Sequence, residues 1–336
     1  GQMVAVLAVA AVCLLAGGCT SCGGGRGESR SGREVSGAQA VSRHFPKVTV
    51  PDMIASGPEA AEYAAEHWWD GFTDTSDTFF CDPAHVNGVP YAEVEQAFAD
   101  YCPILESVSM TAARRSVSRL FSRAEAFERH DSSSTVFETL ADLAEKYFYD
   151  PNSPLRNEDF YLPFVKGLSE HEGFSRPQRD IYAYTAEMCA LNSTGEKAAD
   201  FEFSDRNGNV HTLWGISAGY VLLFFSNPGC ESCHGIIRAL EESGEVRKLI
   251  SEGRLAVVNI YIDEDIAAWL EYKDRYPDSW YNGCDPNLVI RTDMLYNVRA
   301  IPSLYILDKD KRVIMKDAPE TKVLAFLKWL GNQCDS

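Results

Sequence analysis

Two cysteines separated by two residues, Cys230 and Cys233, stand where the sequence pattern changes from strand to helix. Residues 221–225 are all apolar, and their β-branched and aromatic content favours a buried central strand. Residues 226–229 then break the chain, and the apolar residues beyond them recur at helical spacing. The pattern therefore predicts that a helix begins at Cys230, directly after a core strand.

A helix N-terminus favours thiol chemistry, because its unpaired N–H groups and its dipole stabilise the thiolate. Cys230, in the first turn, gains most from this effect. Cys233 lies one turn deeper on the same side of the helix, near enough to attack a mixed disulfide formed on Cys230. Two thiols at this spacing can cycle between dithiol and disulfide, and so pass two electrons to a partner.

Three other interpretations of the motif stay open from the sequence alone. Cys-x-x-Cys-His also marks attachment of c-type haem, with His234 as axial ligand, but this motif follows a buried strand and no haem pocket is indicated nearby. A zinc site needs four ligands, and no second cysteine or histidine pair stands at a suitable distance. A purely structural disulfide with so short a loop would constrain the unfolded chain little. The motif therefore implies neither a bound cofactor nor a metal.

The length and charge of the chain limit which classes of function remain. Its 336 residues suffice for two domains with separate hydrophobic cores. The formal net charge of −18 argues against a nucleic-acid partner and against binding to an anionic membrane surface. We interpret most of the acidic excess as solvated surface.

The N-terminus has the pattern of a targeting segment. Residues 3–16 form an apolar run that is too short to span a bilayer but has the length of a signal-peptide core. Ala16-Gly17-Gly18-Cys19 resembles a bacterial lipobox, which implies lipidation of Cys19, although the usual basic segment before the apolar run is missing. We expect a lipoprotein signal peptide at 1–19 and a flexible tether at 20–50. The expected location is the periplasmic face of the cell envelope, anchored by lipid at the outer membrane.

Ten cysteines favour an oxidising compartment. Cys13 would leave with the signal peptide. Beyond the motif and the lipidation site, six cysteines remain, namely Cys22, Cys81, Cys102, Cys189, Cys284 and Cys334. Cys81 could pair with Cys102, and Cys284 could pair with Cys334. The sequence does not fix the connectivity, and buried free thiols are the alternative for each.

Residues 51–191 are predicted to be helical throughout, with no hairpin between the helices. Ser56-Gly57-Pro58-Glu59 has the pattern of a helix start, and further helices are expected near 91–102, 109–127, 134–149, 157–168 and 177–190. Aromatic clusters at 68–69, 79–80 and 147–149 favour core packing over a ligand-binding surface. EHWWDGF and LAEKYFYDPNSPLRNEDFYLPFV resemble a helical domain of unknown function that precedes a thioredoxin-like domain in bacterial envelope lipoproteins. The resemblance implies a docking or spacing role.

Residues 198–336 are predicted to form a second domain. Phe201 and Phe203 alternate with polar residues, and Asn207-Gly208 predicts a tight hairpin turn. Residues 254–262 predict a buried parallel strand, residues 304–307 and 313–315 further strands, and residues 322–330 a final amphipathic helix.

This pattern, with Cys230-x-x-Cys233 and IPSLYILD about seventy residues later, resembles membrane-anchored thioredoxin-like reductases and redoxins. The resemblance implies an α/β thioredoxin fold, a central mixed sheet flanked by helices, preceded by an all-α helical domain. It also implies that the Ile301–Pro302 bond is cis and that Ile301 and Pro302 bind the substrate backbone.

The sequence departs from the family pattern around the cysteines. Gly229 replaces the usual tryptophan, and Phe224 and Ile236 occupy positions where relatives place a buried carboxylate. Asp263 is a candidate base by its place after a strand, but a helix N-cap is the favoured role. Proton removal from Cys233 is then expected to depend on water or another carboxylate.

These features together predict a cell-envelope thiol–disulfide oxidoreductase. Cys230 would attack, Cys233 would resolve the mixed disulfide, and the partners would be protein thiols or disulfides and an unidentified membrane or periplasmic redox partner. A thiol peroxidase is one alternative, although Asn227 stands where that class needs threonine. A non-catalytic envelope adaptor with a thioredoxin-fold scaffold is the other.

Overall fold

The computed structural model describes residues 41–54 and 56–333, so the expected signal peptide, Cys19 and most of the tether lie outside the described residues. Six helices form the first part of the described chain: α1 (Gly57–His67), α2 (Tyr91–Glu106), α3 (Met110–His130), α4 (Val136–Ala144), α5 (Glu158–Glu170) and α6 (Arg176–Ala190). Polar side chains cap several of their N-termini, because the first N–H groups of a helix have no partner within it. Ser56, Ser109 and Asn157 each accept hydrogen bonds from the first turn that follows them.

A short hairpin interrupts the helices, which the sequence interpretation missed. Strands β1 (His85–Val86) and β2 (Val89–Pro90) pair in antiparallel fashion. Asn87 and Gly88 connect them with φ values of 49° and 74°. An Asn-Gly pair favours this turn, because both central residues of a type I′ turn need positive φ. The prediction of uninterrupted helices was therefore wrong here, and α2 begins only after the hairpin.

The aromatic clusters of the helical region pack mainly in its core, as predicted. Trp69 is 2% exposed and Phe148 is fully buried. Phe98 lies between them, with ring centroids 5.6 Å and 5.1 Å away, respectively. Helix α4 continues as one π-helical turn, Glu145–Tyr149, which brings Phe148 into this core.

A seven-stranded mixed sheet forms the second part of the chain. Its strands are β3 (Glu202–Asp205), β4 (Val210–Thr212), β5 (Tyr220–Phe225), β6 (Leu255–Tyr261), β7 (Tyr281–Cys284), β8 (Ser303–Asp308) and β9 (Val313–Met315), in the order β4-β3-β7-β6-β5-β8-β9. Strands β5, β6 and β7 are parallel, and β8 is antiparallel to β5. The buried parallel strand predicted at 254–262 is confirmed, whereas β7 was not predicted.

Alternation along β5 gives the sheet two apolar faces, because successive side chains of a strand point to opposite sides. Leu222 and Phe224 pack on one face, and Val221, Leu223 and Phe225 pack on the other. The helices of this part are α7 (Glu231–Glu242), α8 (Gly244–Ser251), α9 (Ile266–Tyr272), α10 (Val289–Thr292) and α11 (Glu320–Asn332). The central strand is therefore buried from both sides, and only its ends meet loops.

Across residues 41–54 and 56–333, no helix combines the length and the apolar character needed to cross a bilayer.

Candidate active site

Cys230 lies at the N-terminus of α7, close to where the sequence predicted it. Strand β5 ends at Phe225, and the helix begins one residue after Cys230, which is its N-cap. The Cys230 Sγ atom accepts a hydrogen bond from the backbone N–H of Cys233 at 3.1 Å. A sulfur in this position therefore caps the helix and receives the field of its N-terminal N–H groups.

Cys230 and Cys233 form a disulfide, with their Cα atoms 5.2 Å apart. The two sulfurs differ in access to solvent. Cys233 is fully buried against the core, whereas Cys230 is half-buried and follows the exposed Gly229. A visiting thiol or disulfide would therefore meet Cys230 before Cys233.

The loop at 301–302 lies beside this disulfide. The carbonyl oxygen of Ile301 is 4.0 Å from the Cys230 Sγ atom, and the Ile301–Pro302 bond is cis. Both residues are half-buried. Phe225 in β5 pairs with Ser303 in β8. The loop that carries Cys230 follows Phe225, and the loop that carries Pro302 precedes Ser303, so this pairing brings the two loops together. The structure thus brings together Cys230, Cys233, Ile301 and Pro302, four of the five site residues that the sequence singled out, and the fifth, Cys19, lies outside the described residues.

Apolar side chains occupy the positions where relatives place a carboxylate. Phe224 is fully buried, and Ile236 is 2% exposed. The buried polar side chains that adjoin Ser226 are neutral. Ser226 donates to the Asn259 Oδ1 atom at 2.5 Å, and the Asn259 amide donates to Asn282 at 3.1 Å. Sequence reasoning missed this buried network, although an asparagine inside the apolar run 255–261 was a visible signal.

Asp263 does not cap a helix, so the favoured sequence interpretation was wrong on this point. Asp265 is the N-cap of α9 and accepts from the Ala268 N–H. The Asp263 carboxylate instead accepts a hydrogen bond of 2.5 Å from the Asn227 side chain and pairs with Arg291 at 2.5 Å. It therefore braces the loop that leads to Cys230.

His234 lies against the same loop. Its Nε2 atom is 2.9 Å from the Pro228 carbonyl oxygen and 2.9 Å from the Tyr272 hydroxyl, and its ring is parallel to that of Tyr272 within 9°. The imidazole therefore links the first turn of α7 to the segment before Cys230. Among the described residues, no group of three or more His, Cys, Asp or Glu is placed to hold a metal ion.

The other described cysteines are free thiols: Cys81, Cys102, Cys189 and Cys284. The conceivable Cys81–Cys102 pair is not formed, and Cys334 lies outside the described residues. Burial raises the pKa of the Cys102 and Cys189 thiols to about 12. Burial also raises the pKa of Cys284. A raised pKa keeps a thiol protonated and unreactive at neutral pH.

The strand order, the cysteine pair at the start of α7 and the adjoining 301–302 loop define a thioredoxin-like fold behind a helical region. A solved thioredoxin-like protein from Bacteroides caccae is 31% identical to this chain, with a TM-score of 0.72 over 85% of this chain and 99% of that protein. The predicted fold class is thereby confirmed.

The chain belongs to the family of the domain of unknown function DUF5106, whose sequence model matches residues 21–192. The C-terminal domain of an uncharacterized protein from Bacteroides fragilis is 39% identical over 41% of this chain and 98% of its own length, with a TM-score of 0.40. The thioredoxin domain of a thiol-disulfide oxidoreductase from Bacteroides vulgatus is 18% identical over 42% of this chain and 99% of its own length, with a TM-score of 0.37. No curated protein matches the chain.

Proposed function

We propose that this protein is a thiol–disulfide oxidoreductase that exchanges disulfides with protein substrates through Cys230 and Cys233. One observation carries the proposal: the half-buried Cys230 sulfur, at a helix N-terminus and 4.0 Å from the Ile301 carbonyl oxygen, is bonded to the fully buried Cys233 sulfur. This asymmetry suits a reaction in which one sulfur meets the substrate and the other completes the exchange.

In the reducing direction, the Cys230 thiolate attacks one sulfur of a substrate disulfide. A bond forms between Cys230 and that sulfur, and the second substrate sulfur leaves as a thiolate and takes a proton. The Cys233 thiolate then attacks the Cys230 Sγ atom, which releases the first substrate sulfur as a thiolate and forms the Cys230–Cys233 disulfide. Two electrons pass from the protein dithiol to the substrate, and the reverse sequence oxidises a substrate dithiol.

The surroundings of Cys230 favour its role as the attacking sulfur. The N–H of Cys233 points to the Cys230 Sγ atom, and the α7 N-terminus adds the field of the helix dipole. In the same proposal, the backbone at Ile301 and Pro302 binds the substrate chain, since it lies at the edge of the half-buried sulfur. Phe224 and Ile236 offer no carboxylate, so water or another carboxylate would carry the proton of Cys233.

The location is a second part of the proposal. The lipobox-like Ala16-Gly17-Gly18-Cys19 supports a lipid anchor on Cys19 and a periplasm-facing protein at the outer membrane, where it would meet a membrane or periplasmic redox partner. Metabolic labelling with a palmitate analogue tests the anchor. Label that persists in Cys19→Ala would refute it.

Reduction of insulin by dithiothreitol tests the activity. The wild-type chain should accelerate insulin precipitation, and Cys230→Ser should abolish the acceleration. Cys81→Ser is the matched control, because Cys81 is a free thiol of the helical region. Equal, null activity of the wild type and Cys230→Ser would instead favour a non-catalytic adaptor.

Trapping of mixed disulfides identifies the substrates. Cys233→Ala removes the resolving thiol, so the protein should remain covalently joined to its partners through Cys230. Complexes that dissolve on reduction, and that are absent from the Cys230→Ser, Cys233→Ala double variant, would name the clients. Failure to trap any partner from an envelope extract would count against the proposed role of Cys233.

A further inference from the structure

The loop before Pro302 is held by residues of the helical region. Glu158, the first residue of α5, is 2% exposed and accepts hydrogen bonds from Arg299 at 2.8 Å and from Asn297 at 2.7 Å. Arg299 also donates to the Tyr149 carbonyl, and its guanidinium lies 4.0 Å from the centre of the Tyr149 ring. Arg299 stands three residues before Pro302, so the helical region fixes the chain at the edge of the cysteine pair.

A second set of contacts holds the segment behind Pro302. Arg156 donates to the Asp317 carbonyl at 2.9 Å and to the Ala318 carbonyl at 3.1 Å. The Asp317 carboxylate in turn accepts from the Ser303 hydroxyl at 2.7 Å. Ser303 directly follows Pro302, so Arg156 supports the loop from its other side.

The charged side chains at the junction between the helical region and the 299–318 segment are buried and paired. Lys316 lies 2.9 Å from the Glu158 carboxylate, and both side chains are 2% exposed. Burial raises the pKa of Asp317, although the Arg156 cation opposes that effect. Removing one partner of such a pair leaves a charge in a dry site without its counter-ion. The contacts should therefore persist, and the loop and the first turn of α5 should move together.

We propose that the helical region is a working part of the disulfide-exchange site, and that Glu158 and Arg156 are positioning residues for the loop that binds substrate. The inference rests on the proposed function, because it assigns the loop a substrate. It gives the domain of unknown function a role: to hold the Ile301 carbonyl and Pro302 in place beside the Cys230 Sγ atom. A displacement of about 1 Å in such a positioning element can cost up to about a hundredfold in rate.

Two adjacent carboxylates supply a matched pair of variants in the full chain. Glu158→Gln weakens the hold on Arg299. Asp159→Asn is the control, because Asp159 is 1% exposed in the same turn but pairs with Arg114 and accepts from Thr194 instead of from the loop. Both variants remove the charge of a buried carboxylate in the first turn of α5, and only Glu158 contacts the segment that leads to Pro302.

The measurement is the kcat and KM of insulin reduction, together with the rate at which dithiothreitol reduces the Cys230–Cys233 disulfide. Glu158→Gln should lower kcat/KM about tenfold or more, mainly through KM. Asp159→Asn should keep the wild-type value, and the dithiothreitol rate should be the same in all three proteins. Wild-type kcat/KM in Glu158→Gln would overturn the inference, as would an equal loss in Asp159→Asn.

A second variant and a second readout keep the test decisive. If Glu158→Gln does not fold, Arg156→Gln replaces it, since it removes the bonds to the Asp317 and Ala318 carbonyls. Amide hydrogen exchange at 299–303 should quicken in either loop variant and not in Asp159→Asn. Unchanged exchange would refute the positioning role. A wild-type chain without insulin reductase activity would instead refute the proposed function, while the exchange data still decide whether the helical region holds the loop.

Discussion

Alkylation of the reduced protein should separate Cys230 from the buried thiols of the same chain. The perturbation is reduction of the Cys230–Cys233 disulfide, removal of the reductant, and a short exposure of the folded protein to iodoacetamide near pH 8. Only the thiolate reacts, so the rate at each position follows its ionised fraction and its exposure. Cys102 and Cys189 provide the internal references, since both are free and buried.

The expected difference in alkylation rate follows from the burial of the Cys102 and Cys189 thiols. With pKa values of about 12, the Cys102 and Cys189 thiols are ionised to a fraction of about 10⁻⁴ near pH 8. An ordinary cysteine with a pKa of about 8.5 is ionised to about one quarter at that pH. Cys230 has the added stabilisation of the α7 N-terminus, so it should react at least about three orders of magnitude faster than either reference.

Quantitative mass spectrometry of the peptides over time measures these rates. Labelling in concentrated guanidinium is the control, and there the cysteines should react at similar rates because burial is lost. Circular dichroism should show that the reduced protein stays folded. Labelling of Cys102 or Cys189 within tenfold of Cys230 in the folded protein would refute the argument from burial and helix position.

Three further changes test other parts of the structure. Burial alone would raise the pKa of Asp205, but hydrogen bonds from Asn209 and His211 outweigh it and hold that pKa well below its usual range. A lowered folded-state pKa adds stability that is present above about pH 4 and is lost as the pH falls. Asp205→Asn should therefore lower the free energy of unfolding, measured in urea, by about 2 kcal/mol at neutral pH, and should make that free energy depend less on pH below about pH 4. An unchanged pH dependence would contradict this. Tyr305→Phe should raise the free energy of unfolding by about 1 kcal/mol, because the fully buried Tyr305 hydroxyl has no hydrogen-bond partner among the described residues; destabilisation in the same assay would argue against it. Asn227→Ala removes the bond that braces the loop before the cysteines, and it should slow insulin reduction about tenfold with little change in thermal midpoint, whereas a wild-type rate would refute the brace.

The local signals of the sequence predicted most of the elements correctly. Ser56, Ser109 and Asn157 were placed at helix starts, and each is an N-cap in the structure. The strand predicted at 254–262 is found at Leu255–Tyr261, and the hairpin predicted at Asn207-Gly208 is also found, because an apolar run and a positive-φ turn depend on neighbours in the chain. Placement of Cys230 beside Ile301 came from the family resemblance.

The features that were missed depend on contacts between distant parts of the chain. Strand β7 has only four residues, and its place is set by pairing with β6 and β3. The partners of Glu158 lie about 140 residues further along, so no local pattern could reveal that it binds Arg299. Asp263 was assigned to a cap by proximity alone, and its actual partners, Asn227 and Arg291, are both distant from it in the sequence. The domain boundaries proposed at 51–191 and 198–336 remain a prediction.

The ion pairs at the junction also determine how this chain can be divided. A fragment that began at residue 198 would carry Arg299 and Lys316 without Glu158, the carboxylate that pairs with both of them in the full chain, and Arg299 would keep only its contact with Asp317. Arg299 and Lys316 would then be exposed to water near Pro302, and Asp317 would lose its ion pair with Arg156. A fragment of the thioredoxin-like half would therefore expose charged side chains that the helical region pairs and buries in the full chain.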